Sequence, residues 1–334
     1  MKCKLFLVSV LAVIFALPTA AGAETRLSYS CFFPPTHVQS KLAEAWCQEV
    51  ASRTEGRVVV DYYPGGTLTK APQAYDGVVQ GISDLGFSVL GYTRGLFPVM
   101  AAVDLPMGYE SGKTATRVAN GVYEKFSPAE FDNVKVMYFH AHGPGLLHTA
   151  KQPVEKLEDL QGLKIRATGN SGQLVKALGG TPVAMSMSDS YQSIQKGVVD
   201  GGMYPLETNK GWNMAEVVDY CTQSHAVAYT TTFFVVMNKD RWDSLDPEVQ
   251  KIITKINQEW APRHGQAWDE SDVVGREFFV ENGGKFIPLS EQEEQRWERA
   301  AAPLLEEYVA DAESKGLPGR EIVDFIVEAL EQEQ

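Results

Sequence analysis

Apolar residues follow two periods in turn along this chain. Short stretches alternate apolar with polar residues, the pattern of a half-buried strand. Longer ones place apolar residues three or four apart, the pattern of a helix with one buried face. Residues 25–30 read as a strand, a Pro-containing loop follows at 31–37, and Val38–Arg53 reads as a helix. A strand at Val58–Tyr63 ends on Pro64-Gly65-Gly66, and a helix over 73–81 leads to a strand at Leu85–Val89. Further strands are predicted at 135–139, 163–166, 198–202 and 231–237, with a helix at 173–178. Helices then dominate, over 247–260, 267–282, 291–315 and 321–331. Strands and helices that alternate in this way predict an α/β fold of mostly parallel sheets covered by helices. A length of 334 residues suffices for two such lobes with a cleft between them.

The first residues stand outside this scheme. Lys2 and Lys4 precede an apolar run from Leu5 to Leu17, and Ala21-Gly22-Ala23 supplies small residues before Glu24. Residues 1–23 therefore read as a secretory signal peptide cleaved after about Ala23, too short to span a bilayer. The expected mature protein is exported and not membrane-embedded. The whole chain's formal net charge of −13 argues against nucleic acid or an anionic membrane as partner. An anionic ligand would then need a local cation. Past the signal, Cys31, Cys47 and Cys221 remain, an odd set that leaves at least one thiol free. Cys31 and Cys47 either pair or stay reduced, and their spacing leaves both open.

Chemistry concentrates in residues 162–207. Leu163-Lys164-Ile165-Arg166 is a short strand with Arg166 at its carboxyl end, just before a Gly/Asn/Ser turn. Ligands bind at the carboxyl ends of strands in open α/β sheets. A guanidinium there presents a rigid fork that matches a carboxylate, which lysine does not. Beyond it lie Gly179-Gly180-Thr181-Pro182, Met187-Ser188-Asp189-Ser190-Tyr191 and Gln195-Lys196-Gly197-Val198-Val199-Asp200-Gly201. Upstream are Tyr63-Pro64-Gly65-Gly66-Thr67-Leu68, Asp84-Leu85-Gly86-Phe87 and Asp104-Leu105-Pro106, and downstream is Val236-Met237-Asn238-Lys239-Asp240-Arg241-Trp242. In this order the motifs resemble the DctP-type periplasmic solute-binding proteins of TRAP transporters, from about residue 25 to about 253. The resemblance implies a two-lobe periplasmic-binding-protein fold crossed more than once by the chain. The implied lobes are 24–144 with 231–270 and 145–230 with 271–334. It also implies that Arg166 anchors a substrate carboxylate, that the loaded protein delivers an organic acid to membrane permease subunits, and that no cofactor takes part.

Catalytic signatures are missing. The chain has no HExxH, CxxC, P-loop lysine or G-x-S-x-G elbow. His140, His142 and His148 are the best metal candidates, yet no carboxylate or thiolate lies near them in sequence, which favours structural roles. The alternative to a binding protein is a secreted hydrolase or lyase acting on a carboxylate substrate. Relative to the family pattern, residues 143–148 lack a second arginine, Ser88-Val89 stands where sugar-acid binders place a glutamate, and Tyr204 stands at an asparagine position. These departures trade charge for ring surface. Candidate ligand-binding residues are Arg166, Phe33, His37, Phe87, Ser88, Tyr92, Met187, Tyr204 and Phe233. The expected ligand is a bulky or aromatic monocarboxylate, since pockets of this kind are mostly apolar with a few placed polar groups.

Overall fold

The computed structural model describes residues 24–93 and 95–332, so the signal-peptide reading lies outside the described residues. The first lobe opens with β1 (Thr25–Cys31), α1 (Val38–Arg53), β2 (Val58–Tyr63), α2 (Ala74–Val79) and β3 (Leu85–Val89). It continues through α3 (Gly112–Phe126) and β4 (Val134–Ala141). The chain then crosses to β5 (Leu146–Thr149), β6 (Lys164–Ala167), α4 (Gly169–Ala177), β7 (Thr181–Ala184) and α5 (Met187–Gln195). That second lobe goes on with β8 (Gly201–Tyr204), α6 (Thr208–Gly211) and β9 (Tyr220–Gln223). A second crossing delivers β10 (Thr232–Asn238), α7 (Lys239–Asp243) and α8 (Pro247–Glu281). Last come β11 (Lys285–Pro288), α9 (Glu291–Ala301), α10 (Pro303–Ser314) and α11 (Gly319–Glu331).

The strand orders are β2-β1-β3-β10-β4 and β11-β9-β5-β8-β6-β7. Both sheets are mixed. In the first, β10 alone runs against its neighbours, antiparallel to β3 and β4. In the second, β5 does the same, antiparallel to β8 and β9. The two reversed strands are those the chain enters straight from a strand of the other lobe, with no α-helix between, whereas β11 is reached through α8 and runs parallel to β9. A strand reached from outside a sheet needs no crossover helix, which is what otherwise keeps neighbours parallel. The crossings themselves run side by side, joined by an antiparallel bridge between Gly145 and Tyr229.

Two readings of the helices change. Residues 247–260 and 267–282 form one helix, α8, of 35 residues with Pro262 inside it. A proline lacks the N–H for one helical bond and normally breaks or kinks the helix. Here tertiary bonds hold both sides: Trp260 Nε1 donates to Leu42 O (2.8 Å), and the His264 and Gln39 side chains bond each other. Helix 291–315 instead divides at Ala302, before Pro303. The lobe expected for the last residues is also corrected for α11. Its Ile322, Val323 and Ile326 bury with Val118 and Val122 of α3 and Phe139 of β4, in the core of the first lobe. Residues 291–301 do pack on the second, where Trp297 buries against Leu160 and Ile165.

Helix α8 is common to both lobes. Asn257 Oδ1 accepts from Trp46 Nε1 (2.9 Å) in the first lobe, and Asp269 Oδ1 accepts from the Gly112 N–H (2.5 Å). One turn later, Asp272 Oδ1 accepts from the Glu207 N–H (2.7 Å) in the second, and Phe279 enters that lobe's core.

Candidate functional site

The carboxyl ends of β1, β3, β6 and β8 converge between the lobes, where a strand-order argument puts a ligand. The cleft there is lined by Phe32, Phe33, Tyr92, Arg166, Thr168, Met187, Tyr204 and Phe233, with His142, Glu207, Trp212, Tyr229 and Trp268. A larger groove of about 630 Å³ lies between α3, β4 and α8, but its charged lining residues, such as Lys113 and Glu124, are not buried. The cleft holds the buried charge.

Arg166 is only 5% exposed. Its Nε donates to Met185 O and its Nη1 to Met203 O, both at 3.2 Å, while Nη2 reaches Tyr92 Oη at 3.5 Å. These partners are all neutral oxygens. Arg166 forms no ion pair among the described residues, so the buried guanidinium is held by neutral partners alone. Isolated buried charges are costly unless something pairs with them. Tyr92 comes from the opposite lobe, and its hydroxyl oxygen also accepts from the Met187 N–H (2.9 Å). With its oxygen accepting both contacts, the Tyr92 proton is left to donate elsewhere. Lobe contacts continue outward, where Asn170 Nδ2 donates to Ala101 O (2.6 Å) and Gly91 meets Gly169. A Cβ on Gly169 would come within 3.2 Å of Gly91 Cα, so the backbones touch where a side chain would hold them apart.

Rings form the walls. Phe32 stacks on Trp212 of the second lobe (centroids 6.1 Å, 19°) and on Phe233 (6.4 Å, 7°). Phe233 in turn stacks on Trp268 (5.1 Å, 24°). Tyr204 stacks on His148 (4.3 Å, 22°), and its buried hydroxyl has no hydrogen-bond partner. Gly202 makes room for that ring, since a Cβ there would lie 2.6 Å from Tyr204 Cε1.

Phe33, Tyr92, Arg166, Met187, Tyr204 and Phe233 thus come together at the cleft, and three other candidates do not reach its surface. Phe87 lies behind the wall, edge-on to Phe33 (5.3 Å). Ser88 points to the other face of β3, as strand alternation requires, and donates to Ala71 O (2.7 Å). His37 sits behind Glu207, bonded to it through Nε2 (3.0 Å). Glu207, Trp212, His142, Tyr229 and Trp268 also line the cleft and were not among the expected residues. Glu207 and Trp212 follow the carboxyl end of β8, so their position after a strand end was a usable signal. Trp268 sits mid-helix and left no such trace.

His140, His142 and His148 are buried. No group of three or more His, Cys, Asp or Glu among the described residues is placed to hold a metal. His140 is buried between Phe233 and His264, and its Nδ1 accepts from Trp268 Nε1 (2.9 Å). Burial lowers the pKa of His142 to about 4 and that of His148 and His264 to about 3, which keeps all of them neutral near neutral pH. Cys31, Cys47 and Cys221 are buried and free, with no disulfide between Cys31 and Cys47.

Residues 29–311 match the model of bacterial extracellular solute-binding proteins, family 7, the DctP family. This chain belongs to that family. The solute-binding proteins of TRAP transporters are among its members, and the solved structures similar to this one are such proteins. One from Desulfovibrio salexigens is 33% identical, with 92% of this chain and 96% of that one covered, at a TM-score of 0.80. A marine-metagenome protein described as specific for aromatic acid ligands, solved with metahydroxyphenylacetate, is 28% identical over 92% and 99% of the chains, at 0.88. A third, from Bordetella bronchiseptica with bound (R)- and (S)-mandelate, is 25% identical over 93% and 100%, at 0.87. No helix among the described residues is long and apolar enough to cross a membrane. The two-lobe α/β architecture is thus that of TRAP solute-binding proteins.

Proposed function

We propose that this TRAP solute-binding protein is exported to the periplasm, captures an aromatic monocarboxylate between its lobes, and hands it to the membrane permease. Arg166 is the anchor, with the Tyr92 hydroxyl beside it. The observation that carries this reading is the buried guanidinium whose partners are all neutral oxygens. A carboxylate would supply the missing counter-charge through a paired, charge-assisted contact. A small dicarboxylate would want a second cation, and among the described residues Arg166 is the one Lys or Arg that lines the cleft. The stacked rings favour a flat apolar body, each ring pair adding about 0.5–1.5 kcal/mol beyond area burial. The aromatic-acid and mandelate ligands of the similar structures support the same class.

Calorimetry with benzoate and its hydroxylated relatives tests the anchor. Wild type should bind, and Arg166→Ala should lose about 2–5 kcal/mol, roughly 30- to 5,000-fold in affinity. Arg166→Lys should also bind clearly more weakly, because the fork is lost. The acid should be recovered unchanged after incubation; a converted product would favour the hydrolase or lyase reading. Retention of affinity by Arg166→Ala within about threefold would remove the anchor.

A further inference from the structure

Among the described residues Glu207 is the one Asp or Glu that lines the cleft, and it is only 3% exposed. Its backbone is held from three sides. The N–H donates to Asp272 Oδ1 (2.7 Å), and the carbonyl accepts from Lys210 N (3.0 Å) and Gly211 N (2.8 Å). The side chain is aimed from the other lobe. His37 Nδ1 accepts from the Gln39 N–H (3.2 Å), which leaves the ring proton on Nε2, and that N–H donates to Glu207 Oε2 (3.0 Å). Two glycines make the arrangement possible. A Cβ on Gly211 would overlap Oε2 and lie 2.7 Å from His37 Nε2, and one on Gly275 would lie 2.7 Å from Glu207 Cα.

The other carboxylate oxygen, Oε1, has no hydrogen-bond donor among the described residues. Glu207 lines the cleft, so an oxygen there that has no protein donor can accept a hydrogen bond from a bound group. A second acceptor stands in the same cleft. His142 Nδ1 is bonded to Gly143 O (2.6 Å), which puts its proton there and leaves Nε2 as a lone pair. Besides Arg166, the cleft therefore offers two acceptors, Glu207 Oε1 and His142 Nε2.

Resting on the reading of the cleft as an aromatic-carboxylate site, we propose that Glu207 sets its specificity. It accepts a hydrogen bond from a hydroxyl or amino group on the ligand body, and it repels acids with a second carboxylate. His37 is its positioning residue. Repulsion of this kind discriminates as strongly as attraction does, since like charges in a desolvated site cannot both be accommodated.

Calorimetry with benzoate, meta-hydroxybenzoate, meta-aminobenzoate and isophthalate reads the proposal on the wild-type protein. The hydroxy and amino acids should bind about 10- to 150-fold tighter than benzoate, the worth of one hydrogen bond to a charged group, and isophthalate should bind weakest. In Glu207→Gln the His37 N–H still requires an acceptor, so the amide oxygen stays and the NH₂ turns to the cleft. The hydroxyl preference should shrink and isophthalate should gain about tenfold or more. Should that variant fail to fold, the wild-type ranking alone decides. Benzoate binding as tightly as its hydroxy and amino relatives overturns the role of Glu207 and leaves the aromatic-carboxylate reading standing. Failure of all four acids to bind overturns both. An equal change for every ligand in Glu207→Gln would make the residue structural and overturn the proposal.

Discussion

At the residue scale, burial decides which groups keep their charge. Asp104 is buried at the start of β10, where it accepts from the Thr232 N–H (2.8 Å) and hydroxyl (2.7 Å). Neither partner is a cation, so burial dominates and pushes its pKa up to about 7. The unfolded chain titrates near the ordinary carboxylate value, so between the two the folded state holds a proton that the unfolded state has lost. The stability this contributes is complete below the unfolded value and is lost as pH rises through about 7. Asp104→Asn keeps the accepting oxygen and cannot ionise. Relative to wild type it should gain stability as pH rises from about 4 to about 7, read as a rising difference in urea midpoints. Arg166 illustrates the opposite solution: its charge cannot be titrated away, so it waits for a partner.

Among the elements, α8 does most to place the cleft. It passes from one lobe to the other without interruption and touches each through a glycine. A Cβ on Gly265 would lie 2.9 Å from Thr116 Oγ1 and 3.1 Å from Lys113 Cα of α3. Gly275 makes the corresponding approach to the 206–207 backbone. Overpacking such contacts typically costs about 1–3 kcal/mol. Gly265→Ala should lower stability by that amount in urea denaturation while leaving ligand affinity nearly unchanged. Gly275→Ala should lower both, because it displaces the segment that carries Glu207 into the cleft. Calorimetry beside the denaturation curves separates the two effects. Equal loss of affinity in both variants would mean that α8 acts on the site as one rigid body.

For the whole molecule, the cleft is closed over by cross-lobe contacts: Tyr92 with Arg166 and Met187, Asn170 with Ala101, Phe32 with Trp212. Closure takes Arg166 out of water and so strengthens any charge it pairs with. A hinge motion of the lobes is the expected route for ligand entry. Small-angle scattering should give a larger radius of gyration without ligand than with saturating benzoate or hydroxybenzoate. An unchanged radius would require entry through a local opening instead. The lobes are not independent bodies joined by a tether, since two crossings and α8 all link them, so the motion should be a limited bend.

Much of this protein was legible in one dimension. Patterning marked β1, α1 and β2 because each has a more buried and a more exposed face, whereas β3 and β10, buried along nearly their whole length, were marked as short apolar runs. Arg166 was legible because a cation at a strand end before a Gly/Asn/Ser turn is a local arrangement. Other short strands were not: β5, β9 and β11 are only 4 residues each and carry no motif such as the one that marks β6. Pro262 inside α8 read as a break, since its local preference is visible and the Trp260 and His264 bonds that overrule it are not. The site divides the same way. The sequence determined that a cation would stand at a strand end amid rings. Tertiary structure decided which rings reach the cleft and set Ser88 on the wrong face. It also joined His37 to Glu207 across 170 residues of chain, because contacts between lobes depend on where the chain crosses and no local pattern records that.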